Sequence, residues 1–327
     1  MRNISRSATA TGNYAMAAGL LRDFLEGMPE SPDDVGAMRR RAEILDRLAL
    51  ARNLDGDYRA AVERYRQYAD AVQALIEADP GSAGAFRRNL LRGYRNQAVN
   101  LYLAAREAGG GDEELRESYE LLQRSVDRLT EVGVVEREEE GGGGLVTIEV
   151  EVAVGGRKGA GEFDMAAESR LLYTYMGRIS AVAGDYSQAI SYLERKLGLY
   201  PDLPEDTERT DLLAEQAVVW SQIGSYQAAA RDLRAARTAY RRAAELDARA
   251  DNLEGEAAAT VALGRVALAG GPPPTDAERA ELIARHRRLL VALAQAGADY
   301  LLETEAALRT NLAALMDRGG AVPEEQG

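Results

Sequence analysis

The chain has 327 residues, a formal net charge of −13 at pH 7 and no cysteine. Missing cysteine excludes disulfides, thiol catalysis and cysteine-ligated zinc, and the acidic balance argues against general nucleic-acid binding, which needs basic surface. No apolar run reaches the roughly 18 residues of a membrane span, and Met1-Arg2-Asn3-Ile4-Ser5-Arg6 lacks an apolar signal core, so a cytoplasmic protein is expected.

Along the chain, the spacing Gly-x-Tyr-x-x-Ala recurs at Gly12-Tyr14-Ala17, Gly56-Tyr58-Ala61, Gly184-Tyr186-Ala189 and Gly224-Tyr226-Ala229. Self-similarity at a period of 20–50 residues signals stacked units. Seven residues before the glycine stands a small residue in three copies (Ala49, Gly177, Ala217), and eleven before it a large one (Leu45, Tyr173, Leu213). Large and small residues four apart share one helical face, so a second helix can pack closely over the small one. The glycine is expected to end the first helix in a left-handed conformation. The Tyr then anchors the second helix and the Ala lets it approach the first. Pro29 and Pro201 close second helices.

Only Met1 to Thr11 precede the first copy, which predicts either a half-unit cap there or a chain that belongs to a longer array. Ser31-Pro32-Asp33-Asp34 predicts a helix start, with Ser31 as cap and the acids in the first turn. Tyr94, Ala98 and Leu101 restore the face of a first helix, and Leu115, Ser118 and Leu122 that of a second, across Gly109-Gly110-Gly111. Residues 133–163 break the pattern. Glu136 to Glu140 run into four glycines, and from Leu145 to Val154 an apolar residue recurs at every second position. That predicts a β-hairpin insertion with one apolar face, either folded against neighbouring helices or a candidate edge for a partner strand. Further on, Gly264 takes the small position of a degenerate copy whose turn is Gly270 to Pro274. Residues 298–317 form a last amphipathic helix, expected as a cap.

These offsets resemble the tetratricopeptide repeat, a helix–turn–helix unit, and are similar to kinesin-light-chain-type repeats and to arrays appended to bacterial signalling kinases. Asp79-Pro80, Arg87-Arg88-Asn89-Leu90 and Tyr94-Arg95-Asn96-Gln97-Ala98 carry the likeness to the bacterial arrays. The resemblance implies an all-α fold, a right-handed α-solenoid of antiparallel helix pairs interrupted by the β-hairpin. The expected organisation is 1–132 N-terminal repeats, 133–163 insertion, 164–318 C-terminal repeats with a capping helix, and 319–327 a flexible tail.

The catalytic inventory is sparse. His286, the only histidine, lies in Arg285-His286-Arg287-Arg288 and is expected at the surface. No nucleophile elbow or phosphate loop occurs. No enzyme, cofactor or metal is expected. In repeats of the resembling kind the first helix lines the concave face. Carried onto this sequence, the partner-binding candidates are Arg47, Arg92, Arg95, Asn96, Tyr102, Tyr175 and Arg178, because guanidinium forks grip carboxylates and Asn amides grip peptide backbone. The expected function is an interaction scaffold binding a peptide or protein partner. The alternative is a regulatory or sensory subunit of a bacterial signalling or defence enzyme. The insertion and the apolar end helices offer surfaces for a second copy.

Overall fold

A computed structural model describes residues 12–29, 34–109, 111–131, 165–204, 207–270, 273–297 and 299–317. Among the described residues there are twelve α-helices, two short 3-10 turns and no strand. The β-hairpin expected over 133–163, the Glu136–Glu140 run and the tail 319–327 lie outside the described residues. Two compact units divide the chain, residues 1–179 and 180–327.

The first unit contains α1 (Tyr14–Glu26), α2 (Val35–Leu54), α3 (Tyr58–Ala78), α4 (Ala83–Glu107), α5 (Asp112–Glu131) and most of α6 (Met165–Val182). From α1 to α5 each helix packs on the next. The small residues read from the sequence sit at these seams: Ala17, Ala49, Ala61 and Ala98 are fully buried. At one seam the Ser118 hydroxyl of α5 donates to the Ala98 carbonyl of α4 over 2.7 Å, a contact only small side chains permit. Leu45, Tyr65, Tyr68, Val72 and Leu90 fill the space between.

The second unit contains the end of α6, α7 (Tyr186–Leu197), α8 (Thr210–Ala229), α9 (Leu233–Arg249), α10 (Leu253–Leu268), α11 (Asp276–Ala296) and α12 (Leu302–Asp317). Here α8 touches α10 as well as α9, and α12 packs on both α10 and α11. Trp220 of α8 borders three apolar clusters, formed with Val219, Leu246 and Ala243. The final helix buries Leu308 and Leu315, and Leu301 in the 3-10 turn before it is buried as well, whereas Leu302 is exposed.

One local device builds five helix starts. A residue with positive φ is followed by Asp or Asn, whose side chain accepts the backbone N–H three positions on. The pairs are Gly12-Asn13, Gly56-Asp57, Gly184-Asp185, Arg231-Asp232 and Asp251-Asn252. The cap satisfies an N–H that has no partner inside the helix. This corrects the fourth repeat register. Gly224 does not end a helix; it is buried inside α8, where an added Cβ would meet the Tyr240 ring at 3.1 Å. The turn comes seven residues later, at Arg231. Tyr226 accordingly lies in α8 and stacks, tilted, 6.4 Å from Tyr186. At α2 the cap is Asp34, which accepts from Ala37 over 3.1 Å. The expected cap Ser31 lies outside the described residues.

Candidate functional site

The first unit gathers a polar cluster from α2, α3, α4 and α6. Repeat spacing explains why: Asp46 and Asn53 are two turns apart on α2, and Arg92, Asn96 and Asn100 follow one another at one-turn intervals along α4. Arg92 donates to Asp46 over 3.1 Å and to the Tyr68 hydroxyl over 3.3 Å. Arg95 donates to Glu168 over 2.5 Å and to Asn96 Oδ1 over 2.9 Å. Asn53 donates to Asn100 Oδ1 over 2.8 Å, and Asn100 in turn donates to the Asn96 carbonyl.

Burial pushes the Asp46 carboxyl above its usual range, against the pull of Arg92, Arg47 and Arg95. Burial also raises Tyr65, to about 12, with the Asp46 charge adding to it. Tyr68 shifts upward for the same first reason. Burial opposes the charge on Arg92, but Asp46 and Tyr68 outweigh it and hold the guanidinium more firmly protonated. The Arg95–Glu168 pair is more deeply sequestered, its side chains 14% and 11% exposed. A pair so placed is hard to break, since either partner alone would be a stranded charge.

Beside it lies an aromatic corner. Tyr102, buried, meets Tyr175 edge-on at 6.1 Å between ring centres. The Arg178 guanidinium lies 5.4 Å from the Tyr175 ring centre, an attractive cation–π arrangement. Arg178 makes no ion pair among the described residues. Arg47 pairs with Glu43, one turn away on its own helix.

All seven sequence candidates thus fall in the first unit, and their surroundings differ. Arg47, Arg92 and Arg95 are held by acids of the same unit, while Arg178 and Tyr175 stand at the half-buried edge of the aromatic corner. Asp46, Tyr65, Tyr68 and Glu168 complete the cluster. The large positions at Tyr65 and Tyr68 are visible in the repeat, but the Glu168 partner, 73 positions from Arg95, carries no local signal.

His286 corrects a second expectation. It is fully buried in the second unit, not at the surface, with Nδ1 2.8 Å from the Leu282 carbonyl. Burial pushes its pKa below 6.5. Leu282, His286, Leu289 and Leu293 form one apolar stripe at helical spacing, which the flanking arginines obscure. The arginines on α9 and just before it differ among themselves. Arg231 and Arg234 are exposed, whereas Arg241 pairs with Glu278 of α11 at 3.4 Å.

Among the described residues no group of three or more His, Asp or Glu is placed to hold a metal ion, and no helix is long and apolar enough to cross a membrane.

No family model matches the chain, and no curated protein sequence does. Solved structures that resemble it include tetratricopeptide-repeat proteins. A Signal Transduction ATPase with Numerous Domains (STAND) protein with a tetratricopeptide repeat sensor, from Pyrococcus horikoshii, superposes with a TM-score of 0.58 at 14% identity, over 97% of this chain and 38% of that one. BtubC (BKLC) from P. vanneervenii gives 0.47 at 15% identity, over 86% and 90%. Kinesin light chain TPR-like repeats from Podosopora anserina give 0.46 at 16% identity, over 83% and 99%. The chain therefore spans about two fifths of the STAND protein's length. Likeness at this identity establishes the fold: tetratricopeptide-like helical repeats.

Proposed function

We propose that this chain is an interaction module whose first unit binds a peptide or protein segment. The observation that supports this most is the polar and aromatic cluster running from Asp46 and Arg92 through Asn96 to Tyr175 and Arg178. Most of its charges are already balanced within the unit. A ligand there meets amide groups, tyrosine faces and one guanidinium without an acidic partner among the described residues. That set suits a peptide backbone and one acidic or aromatic side chain better than a highly charged ligand. Among the described residues no catalytic constellation accompanies it, and binding without chemistry is the reading.

The test is selection of peptides from a displayed library against the full chain, followed by Asn96→Ala and Arg178→Glu variants. Both residues are half-buried, and neither is the carboxylate that pairs with Arg95. Selected peptides should lose at least about tenfold in affinity to one variant or the other. Peptides that bind both variants as they bind the parent chain remove this assignment. A parallel deletion of residues 133–163 separates the cluster from the proposed strand edge, because a ligand lost only with the deletion belongs to that edge.

Within the same reading the repeats form a right-handed superhelix divided at the 133–163 hairpin, and the protein is cytoplasmic and bacterial. An acidic surface without nucleic-acid affinity and self-association of end helices belong to it too. The STAND likeness supports a second reading, a sensory portion of a larger signalling ATPase. An ATPase partner whose turnover changes on adding this chain would select that reading over the scaffold.

A further inference from the structure

In the second unit, α10, α11 and α12 share a feature that binding in the first unit does not use. Each interrupts its apolar face with one small or polar residue. Gly264 stands between Val261 and Ala267, His286 between Leu282 and Leu289, and Asn311 between Leu308 and Leu315. The flanking residues belong to two separate apolar clusters, one with Val261, Leu289 and Leu308, the other with Ala267, Leu282 and Leu315. The three helices therefore meet in a polar layer enclosed between two apolar ones.

Gly264 marks the meeting point. A Cβ there would lie 2.7 Å from Asn311 Nδ2 and 3.0 Å from His286 Nε2. Asn311 Nδ2 donates to the Val261 carbonyl over 2.9 Å and so ties α12 to α10. His286 Nδ1 faces the Leu282 carbonyl, which only accepts, so Nδ1 carries the proton of the neutral ring. Nε2 is then a lone pair, shielded from solvent and without a partner. A proton added to it is directed into the space shared with the Asn311 amide nitrogen, itself a donor. The charged groups nearby supply no counter-ion. Arg285 precedes His286 on α11, Glu256 of α10 is taken by Arg288, and Arg309 of α12 is paired with Glu305. Burial lowers the His286 pKa against the pull of the Leu282 carbonyl, and the Arg285 charge adds to the lowering.

We propose that His286 is an acid-sensitive latch whose protonation releases α12 from α10 and α11. Because α12 packs mainly on those two helices, it can lift away without parting α8 from α9. Its departure uncovers Val261, Leu289 and Leu293, which Leu308 otherwise covers. The latch keeps this apolar seat closed at neutral pH and opens it in acid. Once α12 has left, the imidazole regains its ordinary pKa of 6.5, whereas the closed seam holds it lower. The opening constant is therefore flat above that value and rises about tenfold for the first unit of pH below it.

Hydrogen exchange of the full chain at about pH 7.5 and about pH 5.5, corrected for intrinsic rates, tests this. Amides of α12 should exchange faster than those of α9 at both values, and their opening should rise about tenfold in acid. His286→Leu continues the apolar stripe and should abolish the rise. His286 is the only histidine, so an isotope-labelled imidazole gives a single magnetic-resonance signal, and in the full chain it should titrate below 6.5. The inference is overturned by α12 opening that does not change with pH, by a rise that persists in His286→Leu, or by α12 and α9 exchanging alike, which would make the opening global. An imidazole that titrates at 6.5 or above would overturn it in the parent chain, whatever the variant does.

Discussion

Asp247 offers the sharpest energetic test of the second unit. It sits in α9, 3% exposed, and accepts a hydrogen bond from Asn252 Nδ2 at 2.7 Å. Burial lifts its pKa from 3.8 to about 6; Asn252 lowers it and the Glu256 charge adds to the rise. The folded state therefore holds this proton over a pH range in which the unfolded chain has released it. Stability falls as pH rises from 3.8 toward 6, and the deficit is complete above that window. With a shift of about 2 units at 1.36 kcal/mol each, the deficit is about 3 kcal/mol at neutral pH. Asp247→Asn removes the charge and still offers Asn252 an acceptor. It should stabilise the second unit by up to about 3 kcal/mol near pH 7.5, and by almost nothing near pH 4. Urea unfolding followed by Trp220 fluorescence measures this, because Trp220 packs against the neighbouring Leu246. A loss of stability in the variant at neutral pH, or an equal gain at both pH values, would refute the argument.

Three further outcomes follow from other sites. His286 titrates in the opposite sense: burial holds its folded pKa below 6.5, so stability should fall as pH drops below that value. His286→Leu, on the apolar stripe, should flatten that limb of the urea-midpoint profile. Arg231 has φ +67 where three other turns use glycine, so Arg231→Gly should raise stability by about 1 kcal/mol, read from a thermal melt. Ala61 is completely enclosed between helices, and Ala61→Leu should lower stability by about 1–3 kcal/mol in denaturant titration. A neutral result would mean that α2 and α3 can separate without penalty.

The helix pairs were legible because close packing needs small residues at fixed offsets, and Ala49, Ala61, Ala98 and Ser118 occupy them. Gly224 misled for a physical reason. A glycine serves a turn through its backbone freedom or a crossing through its missing side chain, and spacing alone does not separate the two. The more reliable mark is the Asp or Asn after the positive-φ residue, which holds when arginine replaces glycine, as at Arg231-Asp232. At the candidate site the tyrosines and arginines were visible as positions. Their balance was not, since Arg92 with Asp46 and Arg95 with Glu168 are joined across the fold. The seat of His286 was written in its leucine neighbours and hidden by its arginines.

The Arg95–Glu168 pair also bears on how the protein tolerates change. It ties α4 to the start of α6, as the Ser118–Ala98 hydrogen bond ties α4 to α5, so the two helices that flank residues 132–164 are each held to α4 by contacts of their own. Closing a longer connection between fixed anchors costs only about 0.6 kcal/mol for each doubling of its length. Variants with expanded or replaced sequence between Glu131 and Met165 should therefore fold nearly as well as the parent.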